Sequence, residues 1–245
     1  MSGLTYRAKQ NKIYKWRKAN GITIFQDAAP VRAHIEYLKS LGLTDSMIAY
    51  ASDCDPQNIA LIVTGTTKSM WIENAQKILA VTHVPDPRQH YVPTIGARRR
   101  VRALNAIGWP TGIIANRLGL ASNIRVNVSI NGRVTEYSRW AAIRDLYDEL
   151  SGTPGPATRI IHVAKRNHYA PPLAWEGLDI DDPRVQPDWA AMGIKLTERP
   201  MCIRNHAYTP QNTYYDNRGN RQCKTCRKAA NDRRRAKRIA AKNAA

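Results

Sequence analysis

Three of the four cysteines in this 245-residue chain lie within one short stretch near its C-terminal end, together with a histidine. The stretch reads Cys202-x3-His206, then sixteen intervening residues, then Cys223-x2-Cys226. Each pair can hold one metal ion from a single turn of backbone. Three thiolates and one imidazole complete the tetrahedral Cys3His shell that zinc prefers. The spacing therefore predicts a zinc site formed by these four residues.

The predicted shell contains four protein ligands, which leaves no coordination position for water or substrate. Catalytic zinc normally keeps such a position open, so we expect the metal to be structural. Gly219 and Asn220, between the two ligand pairs, suit the turn of a hairpin. The alternative is a set of free or disulfide-bonded cysteines. The N-terminal sequence MSGLTYRAKQNK is too polar for a signal peptide, so we expect a cytoplasmic protein in a reducing compartment, where this spacing favours metal.

A Cys-x2-Cys pair followed by a basic helix also resembles the zinc-stapled start of HNH nucleases. Those enzymes need histidines for a general base and for a nuclease metal. After Cys226 the chain reads RKAANDRRRAKRIAAKNAA, which contains no histidine. We therefore expect no catalytic activity from this region.

Positive charge is concentrated at the two ends of the chain. The net charge is +19, of which residues 1–18 contribute +6 and residues 199–245 contribute 13 − 2 = +11, so the 180 residues between them contribute only +2. Such ends favour nucleic acid or an acidic protein surface, although a basic tail is also typical of a solvated segment. The candidate contacts in the tail are Arg233, Arg234, Arg235, Lys237 and Arg238.

An internal similarity appears at an offset of 66 residues. The matched pairs are Arg32 and Arg98, Leu38 and Leu104, Gly42 and Gly108, Ile48 and Ile114, and Ala49 and Ala115. In the first copy, VRAHIEYLKSLGLT reads as a helix ended by Gly42, TDSMIAYAS as a helix capped by Thr44, and PQNIALIVTG as a helix after a DCDP turn. The second copy reads RRRVRALNAIGW, PTGIIANRLGL and SNIRVNVSING. This order predicts tandem helix-turn-helix units, with generic packing of short helices as the alternative.

An amphipathic helix follows each copy, MWIENAQKILAV in the first and EYSRWAAIRDLYDEL in the second. Ala75 and Leu79 match Ala142 and Leu146 at an offset of 67. The change from 66 to 67 predicts a one-residue insertion in the second recognition segment.

The two copies differ in how well they suit DNA. The segment PQNIALIVTG has no Lys or Arg and follows Asp53 and Asp55, which would repel phosphate. The second copy offers residues that can reach base edges or phosphates, namely Asn123, Arg125, Asn127 and Arg133. We therefore expect the second copy to be the better DNA reader and the first to serve as a protein-facing scaffold.

The predicted fold class is mainly α, with tandem helix-turn-helix units, an extended proline-rich strap and a small C-terminal Cys3His zinc knuckle. SGTPGP reads as a linker and TRIIHVAKRNHY as a helix. LAWEGLDIDDPRVQPDW reads as an acidic, extended strap that packs on the body through Trp175 and Trp189, with a partner-binding segment as the alternative. The predicted segments are a basic arm at 1–30, the first unit at 31–96, the second at 97–150, the linker, helix and strap at 151–198, and the zinc knuckle with its basic tail at 199–245.

The tandem units, the stretches SRWAAIRDLYDELSGTPGPATR and APPLAWEGLDIDDP, and the terminal knuckle together resemble an actinobacteriophage family of small basic regulators. The resemblance covers essentially the whole chain. Within that family it is closest to recombination directionality factors of Streptomyces temperate phages that carry a large serine integrase. It implies a non-catalytic protein that binds the phage integrase on attachment-site DNA and switches it from integration to excision. The integrase would supply the serine nucleophile, and this chain would be its allosteric partner.

The residue patterns by themselves leave two classes of function open. One is a protein-binding switch whose nearly neutral body and basic ends dock on the integrase. The other is a sequence-specific helix-turn-helix transcriptional regulator of a phage, with the second copy in the major groove and the basic ends on phosphate. A nuclease is a distant third, because the histidines that it would need are missing from the tail.

Overall fold

The computed structural model describes residues 5–21, 23–122, 126–127, 130–190, 192–195, 198–204 and 206–243. About half of these residues are helical. The described α-helices are α1 Tyr6–Ala19, α2 Ala29–Ser40, α3 Asp45–Ala51, α4 Pro56–Val63, α5 Ile72–Leu79, α6 Ile95–Ala106, α7 Thr111–Arg117, α8 Tyr137–Leu150, α9 Thr158–Arg166 and α10 Lys224–Asn243. The strands, each of three residues, are β1 Phe25–Asp27, β2 Ser69–Trp71, β3 Tyr91–Pro93, β4 Val134–Glu136, β5 Thr213–Tyr215 and β6 Arg221–Cys223.

The chain divides into two compact units, Met1–Pro93 and Thr94–Ala245. Within the described residues, no helix combines the length and the apolar composition needed to cross a lipid bilayer.

In the first unit, α2 to α5 enclose an apolar core to which every one of these helices contributes. Helix α2 buries Val31, Ile35 and Leu38, which recur at helical spacing on one face. Ala49 on α3 and Ile59 on α4 are fully buried, and these two helices pack against each other. Strands β1 and β2 pair antiparallel and so tie the segment before α2 to the segment before α5.

Local sequence signals set the boundaries of α3 and α4. Thr44 is the N-cap of α3, as predicted, and its hydroxyl accepts a hydrogen bond from the backbone N–H of Met47 at 3.3 Å. Asp55 caps α4 by accepting from the backbone N–H of Gln57 at 2.7 Å, and Pro56 occupies the first helical position. Residues 52–55 therefore form a four-residue turn between two short helices, at the place where the sequence predicts one.

The helices α2 and α3 of the first unit correspond to α6 and α7 of the second at an offset of 66 residues. Gly42 and Gly108 follow the matched helices with φ angles of 102° and 100°, the left-handed conformation that the sequence predicts for Gly42. The next residue in each unit, Leu43 or Trp109, donates its N–H to the carbonyl five residues earlier, at 3.2 and 3.0 Å respectively. Both units thus end this helix by the same hydrogen-bonded turn.

A matched arginine makes the same kind of contact in each unit. Arg32 on α2 donates from Nε to the carbonyl of Ile62 at 2.7 Å. Arg98 on α6 donates from Nε to the carbonyl of Ile130 at 2.5 Å. In both cases a long side chain ties the first helix of the unit to backbone roughly thirty residues further along the chain.

The predicted one-residue insertion is wrong at the end of the repeat. Strand β4 follows β2, and helix α8 follows α5, at an offset of 65 rather than 67. At this offset the fully buried Ala75 of α5 corresponds to Trp140 of α8, which is 3% exposed. The predicted counterpart, Ala142, is exposed. The apolar periodicity of α8 fits more than one alignment, and only the buried face shows which residues correspond.

In the second unit, the strap of residues 173–189 packs on α6 through arginine side chains. Arg99 donates from Nη1 to the carbonyl oxygens of Ile180 and Asp182, at 3.0 and 2.7 Å, and from Nη2 to that of Val185 at 2.8 Å. Arg100 forms a bidentate ion pair with Asp181, with both contacts at 2.7 Å. The strap begins within a 3-10 helix, Pro172–Trp175, and continues through turns, so it is less extended than predicted.

The strap is also anchored by its tryptophans, as the sequence predicts. Trp175 and Trp189 are 8% and 4% exposed and lie in one apolar cluster with Ala103 of α6. Trp140 of α8 donates its indole N–H to Asp181 at 2.9 Å. The predicted helix TRIIHVAKRNHY is confirmed as α9. It is preceded by a close backbone approach, in which Gly155 donates to the carbonyl of Ile107 at 2.8 Å.

Candidate metal centre

The predicted ligands Cys202, His206, Cys223 and Cys226 come together in the structure, with their ligand atoms all within 4.8 Å of one another. The sulfurs of Cys202 and Cys226 are 3.6 Å apart, and the Nδ1 of His206 lies 3.5 Å from the first and 3.2 Å from the second. A tetrahedral zinc with Zn–S bonds of about 2.3 Å and a Zn–N bond of about 2.0 Å has edges of about 3.6–3.8 Å. The cluster therefore has nearly the dimensions of a zinc shell.

The same distances exclude a disulfide in this arrangement, because a disulfide brings two sulfurs to about 2.05 Å. All three cysteines of the cluster are free thiols, as is Cys54 in the first unit. The structure thus supports the predicted metal site over the disulfide alternative. Because Nδ1 of His206 is the ring atom that faces the sulfurs, it is the atom that would bind the metal.

The first ligand pair lies on a tight backbone loop. Cys202 donates its N–H to the carbonyl of His206 at 2.9 Å, and Met201 and Ala207 form an antiparallel bridge just outside the pair. The backbone N–H of Arg204 points at the sulfur of Cys202, at 3.4 Å. Backbone N–H groups that donate to cysteine sulfur favour the thiolate, which is the form that binds metal.

The second ligand pair spans the junction of a hairpin and a helix. Cys223 ends β6, and Cys226 lies in the first turn of α10, where its backbone N–H points at the sulfur of Cys223 at 3.5 Å. Strands β5 and β6 pair antiparallel, with Thr213 opposite Cys223. The turn between them contains Gly219 at a φ of 75°, so the predicted hairpin is confirmed with glycine in its left-handed position.

Asn212 connects the two halves of the site, and the sequence analysis did not identify it. Its side-chain nitrogen donates to the carbonyl of Ala207 at 2.7 Å and lies 3.4 Å from the sulfur of Cys223. Its side-chain oxygen accepts from the backbone N–H and the hydroxyl of Thr225, at 3.0 and 2.8 Å. The side-chain amide of Asn212 thus fixes the positions of the first loop, the sulfur of Cys223 and the start of α10 relative to one another. An isolated asparagine carries no sequence signal for this role.

The thiols of the cluster differ in acidity. Burial opposes ionisation of Cys223, but the hydrogen bonds from the backbone of Cys226 and from Asn212 outweigh it and lower the pKa of Cys223 to about 7. Burial and the neighbouring sulfurs of Cys202 and Cys223 raise the pKa of Cys226 to about 12. Without a cation, then, the three sulfurs cannot readily all be thiolates. A divalent metal would remove this conflict, because its charge stabilises every thiolate that it binds.

The metal ligands themselves form the buried part of this segment. Among the described residues between 199 and 240, the only buried ones are Cys202 and Cys223. Two cation–π pairs lie at the surface of the knuckle. The guanidinium carbon of Arg221 is 3.9 Å from the ring centroid of Tyr208, and that of Arg227 is 4.6 Å from the ring centroid of Tyr214. With so little apolar core, the metal would be the main source of stability for the knuckle.

Helix α10 leads from the metal cluster into solvent. It is twenty residues long and carries nine Lys or Arg residues and one Asp. Every residue from 231 to 240 is exposed, so the helix has no packed face along this part. The predicted contact residues Arg233, Arg234, Arg235, Lys237 and Arg238 are therefore all accessible.

The predicted DNA contacts of the second unit are only partly described. Asn127 and Arg133 are exposed. Asn123 and Arg125 lie outside the described residues. In the first unit Gln57 and Asn58 are exposed at the start of α4.

Comparisons of the chain with protein-family models, with curated protein sequences and with solved structures find no match.

Proposed function

We propose that this protein is a non-catalytic regulator of DNA recombination, namely a recombination directionality factor that binds a phage serine integrase on attachment-site DNA and shifts it from integration to excision. One observation carries the proposal: a Cys3His cluster fixes the start of an exposed, strongly basic helix. The resemblance described above supplies the integrase as the partner.

The metal cluster supports a binding role rather than a catalytic one. Zinc held by Cys202, His206, Cys223 and Cys226 would have a complete tetrahedral shell, so its chemistry would be structural. Because Cys223 and Cys226 flank the start of α10, metal binding would set the direction in which that helix leaves the knuckle.

Helix α10 supports contact with a nucleic-acid backbone. Twenty residues at about 1.5 Å each give a helix of about 30 Å, roughly the length of nine base pairs at 3.4 Å per step. The side chains of residues 231–240, five of them Lys or Arg, are all exposed, which suits phosphate attraction without base reading. Such a helix would hold the regulator near the DNA on which the integrase acts.

A switch of direction needs more than attraction to DNA. Only contacts that differ between the integration and excision arrangements of the integrase can favour one over the other, and about 1.4 kcal/mol of difference shifts their ratio tenfold. We assign this role to folded surface in the two units and the general affinity to the basic ends.

The test is a recombination assay with purified serine integrase and its attachment sites, run beside a gel shift with and without integrase. A complex of lower mobility that forms only when integrase is present, together with stimulated excision, supports the proposal. Site-selective DNA binding by this protein alone, with no effect on excision, contradicts it.

A second candidate function is a sequence-specific helix-turn-helix transcriptional regulator. The observation that favours it is the pair α3 and α4 with its four-residue turn, together with the exposed Asn127 and Arg133 in the second unit. In this case, replacing Arg125 and Asn127 with Ala should abolish site-selective binding, at about 1–3 kcal/mol per lost base contact. The matched control is Arg159→Ala, which removes an exposed charge at the start of α9.

A further inference from the structure

A cationic pocket lies in the second unit between α6, the end of α9, the strap and residues 200–201. Its volume is about 320 Å³, close to the lower end for small-ligand sites. The lining includes Arg98, Arg99, Arg102, His168, Trp175 and Trp189, and no Asp or Glu of the described residues belongs to it. Three guanidinium groups around one pocket without a lining carboxylate make it attractive to an anion.

The three arginines differ in how many of their guanidinium N–H donors are already hydrogen-bonded within the protein. Arg99 has both terminal nitrogens bonded to carbonyl oxygens of the strap and lies over the ring of Trp175 at 4.8 Å. Arg98 uses Nε and Nη2 on backbone carbonyls and the hydroxyl of Thr94. Burial lowers the pKa of Arg98, and the nearby charge of Arg102 lowers it further, so these two cations repel each other.

Arg102 has the most guanidinium donors free to bind a ligand. It lies over the ring of Tyr169 at 5.0 Å, and it has no hydrogen bond or ion pair within the described part of the chain. A single stacking contact positions the guanidinium without using its five donors. The repeat shows the same difference between Arg98 and Arg102. Arg98 has a structural counterpart in Arg32 of the first unit, whereas the residue 66 positions before Arg102 is Glu36.

Trp189 gives an independent sign of a ligand. The residue is 4% exposed, its ring lines the pocket, and its indole N–H has no hydrogen-bond partner among the described residues. An unsatisfied buried donor costs free energy, so such groups are normally paired. The exposed His168, held at a φ of 55°, adds a further polar group at the rim.

The geometry points to a binding site for one nucleotide: we propose that its phosphate is held by Arg102 and Arg98, close to the unsatisfied indole N–H of Trp189, with aromatic rings beside the base. Phosphate suits several donors at once, since it offers multiple charged acceptor oxygens. The guanidinium of Arg99, which lies over the ring of Trp175, offers a cationic face for stacking, which tolerates any base. A pocket of about 320 Å³ has room for a single nucleotide but not for a duplex. The site contains none of the metal ligands, although Pro200 and Met201, which directly precede the ligand Cys202, line part of it.

The experiment follows the tryptophan indole N–H signals of the full-length, zinc-loaded, 15N-labelled protein by NMR, with Trp189→Phe to assign the relevant signal. The probes are inorganic phosphate, thymidine 5′-monophosphate, thymidine, and hexathymidylate with and without a 5′-phosphate. We expect the monophosphate to shift the Trp189 signal saturably and thymidine to leave it in place. A response to both hexathymidylates would identify a nucleic-acid strand as the source of the phosphate, and a response to the phosphorylated one alone would identify a terminal nucleotide.

Three variants separate the site from general charge. Arg102→Gln should weaken nucleotide binding about tenfold, because it removes a charge-assisted contact to phosphate. His168→Asn, which suits the same left-handed backbone, tests the rim without removing an arginine. The control is Arg159→Gln, since Arg159 is equally charged, exposed and outside the pocket lining.

The proposal is overturned if no probe shifts the Trp189 signal. It is also overturned if a glutamate-rich peptide binds as tightly as the nucleotide, or if Arg102→Gln and Arg159→Gln weaken binding equally. None of these outcomes depends on excision activity. The nucleotide-site proposal can therefore be refuted while the recombination proposal stands, and the recombination proposal can be refuted while the nucleotide site stands.

Discussion

Replacing Cys223 with Ser should cost the protein most of its zinc affinity and unfold the knuckle, while leaving the rest of the chain folded. Structural zinc binding in small knuckles is worth about 10–16 kcal/mol, so one ligand of four corresponds to roughly 3–4 kcal/mol, or two to three powers of ten in affinity. The segment has little else to hold it, because among the described residues between 199 and 240 only Cys202 and Cys223 are buried. Loss of the metal should therefore unfold the knuckle.

The assay combines three measurements on protein purified under reducing conditions. Elemental analysis gives the zinc content, and we expect one zinc per wild-type chain. Competition with a coloured chelator gives the relative affinity of the variant. Limited trypsin digestion reports folding, because an unfolded knuckle exposes cleavage sites such as Arg218 and Arg221, whereas the helices before residue 195 should resist equally in both proteins.

The matched control is Cys54→Ser. Cys54 is a free, half-buried thiol that packs against the core of the first unit and is not part of the cluster. This variant should keep one zinc with unchanged affinity. A reduced wild-type protein that carries no zinc, or a Cys223→Ser protein that binds zinc as tightly as the wild type, would refute the reasoning.

Three further predictions concern the ion pair of the strap, the glycine contact before α9 and the basic tail. Asp181→Asn should lower the free energy of unfolding by about 3–5 kcal/mol, because it leaves the buried Arg100 unpaired, as thermal or urea unfolding can measure. Gly155→Ala should cost about 1–3 kcal/mol in the same experiment, because a Cβ there would overlap the backbone of Gly108. Truncation after residue 230 removes six Lys or Arg, so the slope of log binding constant against log salt should fall by up to about 5 in DNA titrations. Excision at saturating protein should survive this truncation.

Each of these predictions has a control and an outcome that contradicts it. Asp145→Asn breaks an exposed ion pair and should change stability by less than about 1 kcal/mol, so equal losses for the two aspartates would contradict the buried-pair argument. Gly152→Ala meets no atom within 4 Å and should be nearly neutral, and an equal cost at both glycines would contradict the contact argument. If the truncated protein cannot stimulate excision at any concentration, the tail has a direct part in switching.

The zinc ligands were predictable from the sequence because each pair is local. Three residues separate Cys202 from His206 and two separate Cys223 from Cys226, so a single turn brings each pair together wherever the rest of the chain lies. The stop of α2 at Gly42 was predictable for the same reason, since the left-handed turn depends on adjacent residues.

Alignment of the repeat beyond its middle was not predictable from the pattern. Apolar residues at three- and four-residue steps allow several registers on one helix, and the sequence favoured Ala142 as the partner of Ala75. Packing selects Trp140 instead, because the face of α8 that lies against the core includes Trp140 and Ile143. Burial is a property of neighbouring elements, which no single helix specifies.

The amino-acid sequence by itself determined the features that depend on near neighbours: the helix caps, the glycine turns, the paired metal ligands and the basic charge of both ends. Only the tertiary structure decided the features that join distant residues. Asn212 reaches back to Ala207 and forward to Thr225, and Arg100 meets Asp181 across 81 residues. The pocket around Arg102 likewise draws on four separate segments. These contacts depend on how helices and turns pack in space, and the spacing of residues along the chain does not encode that packing in any local pattern.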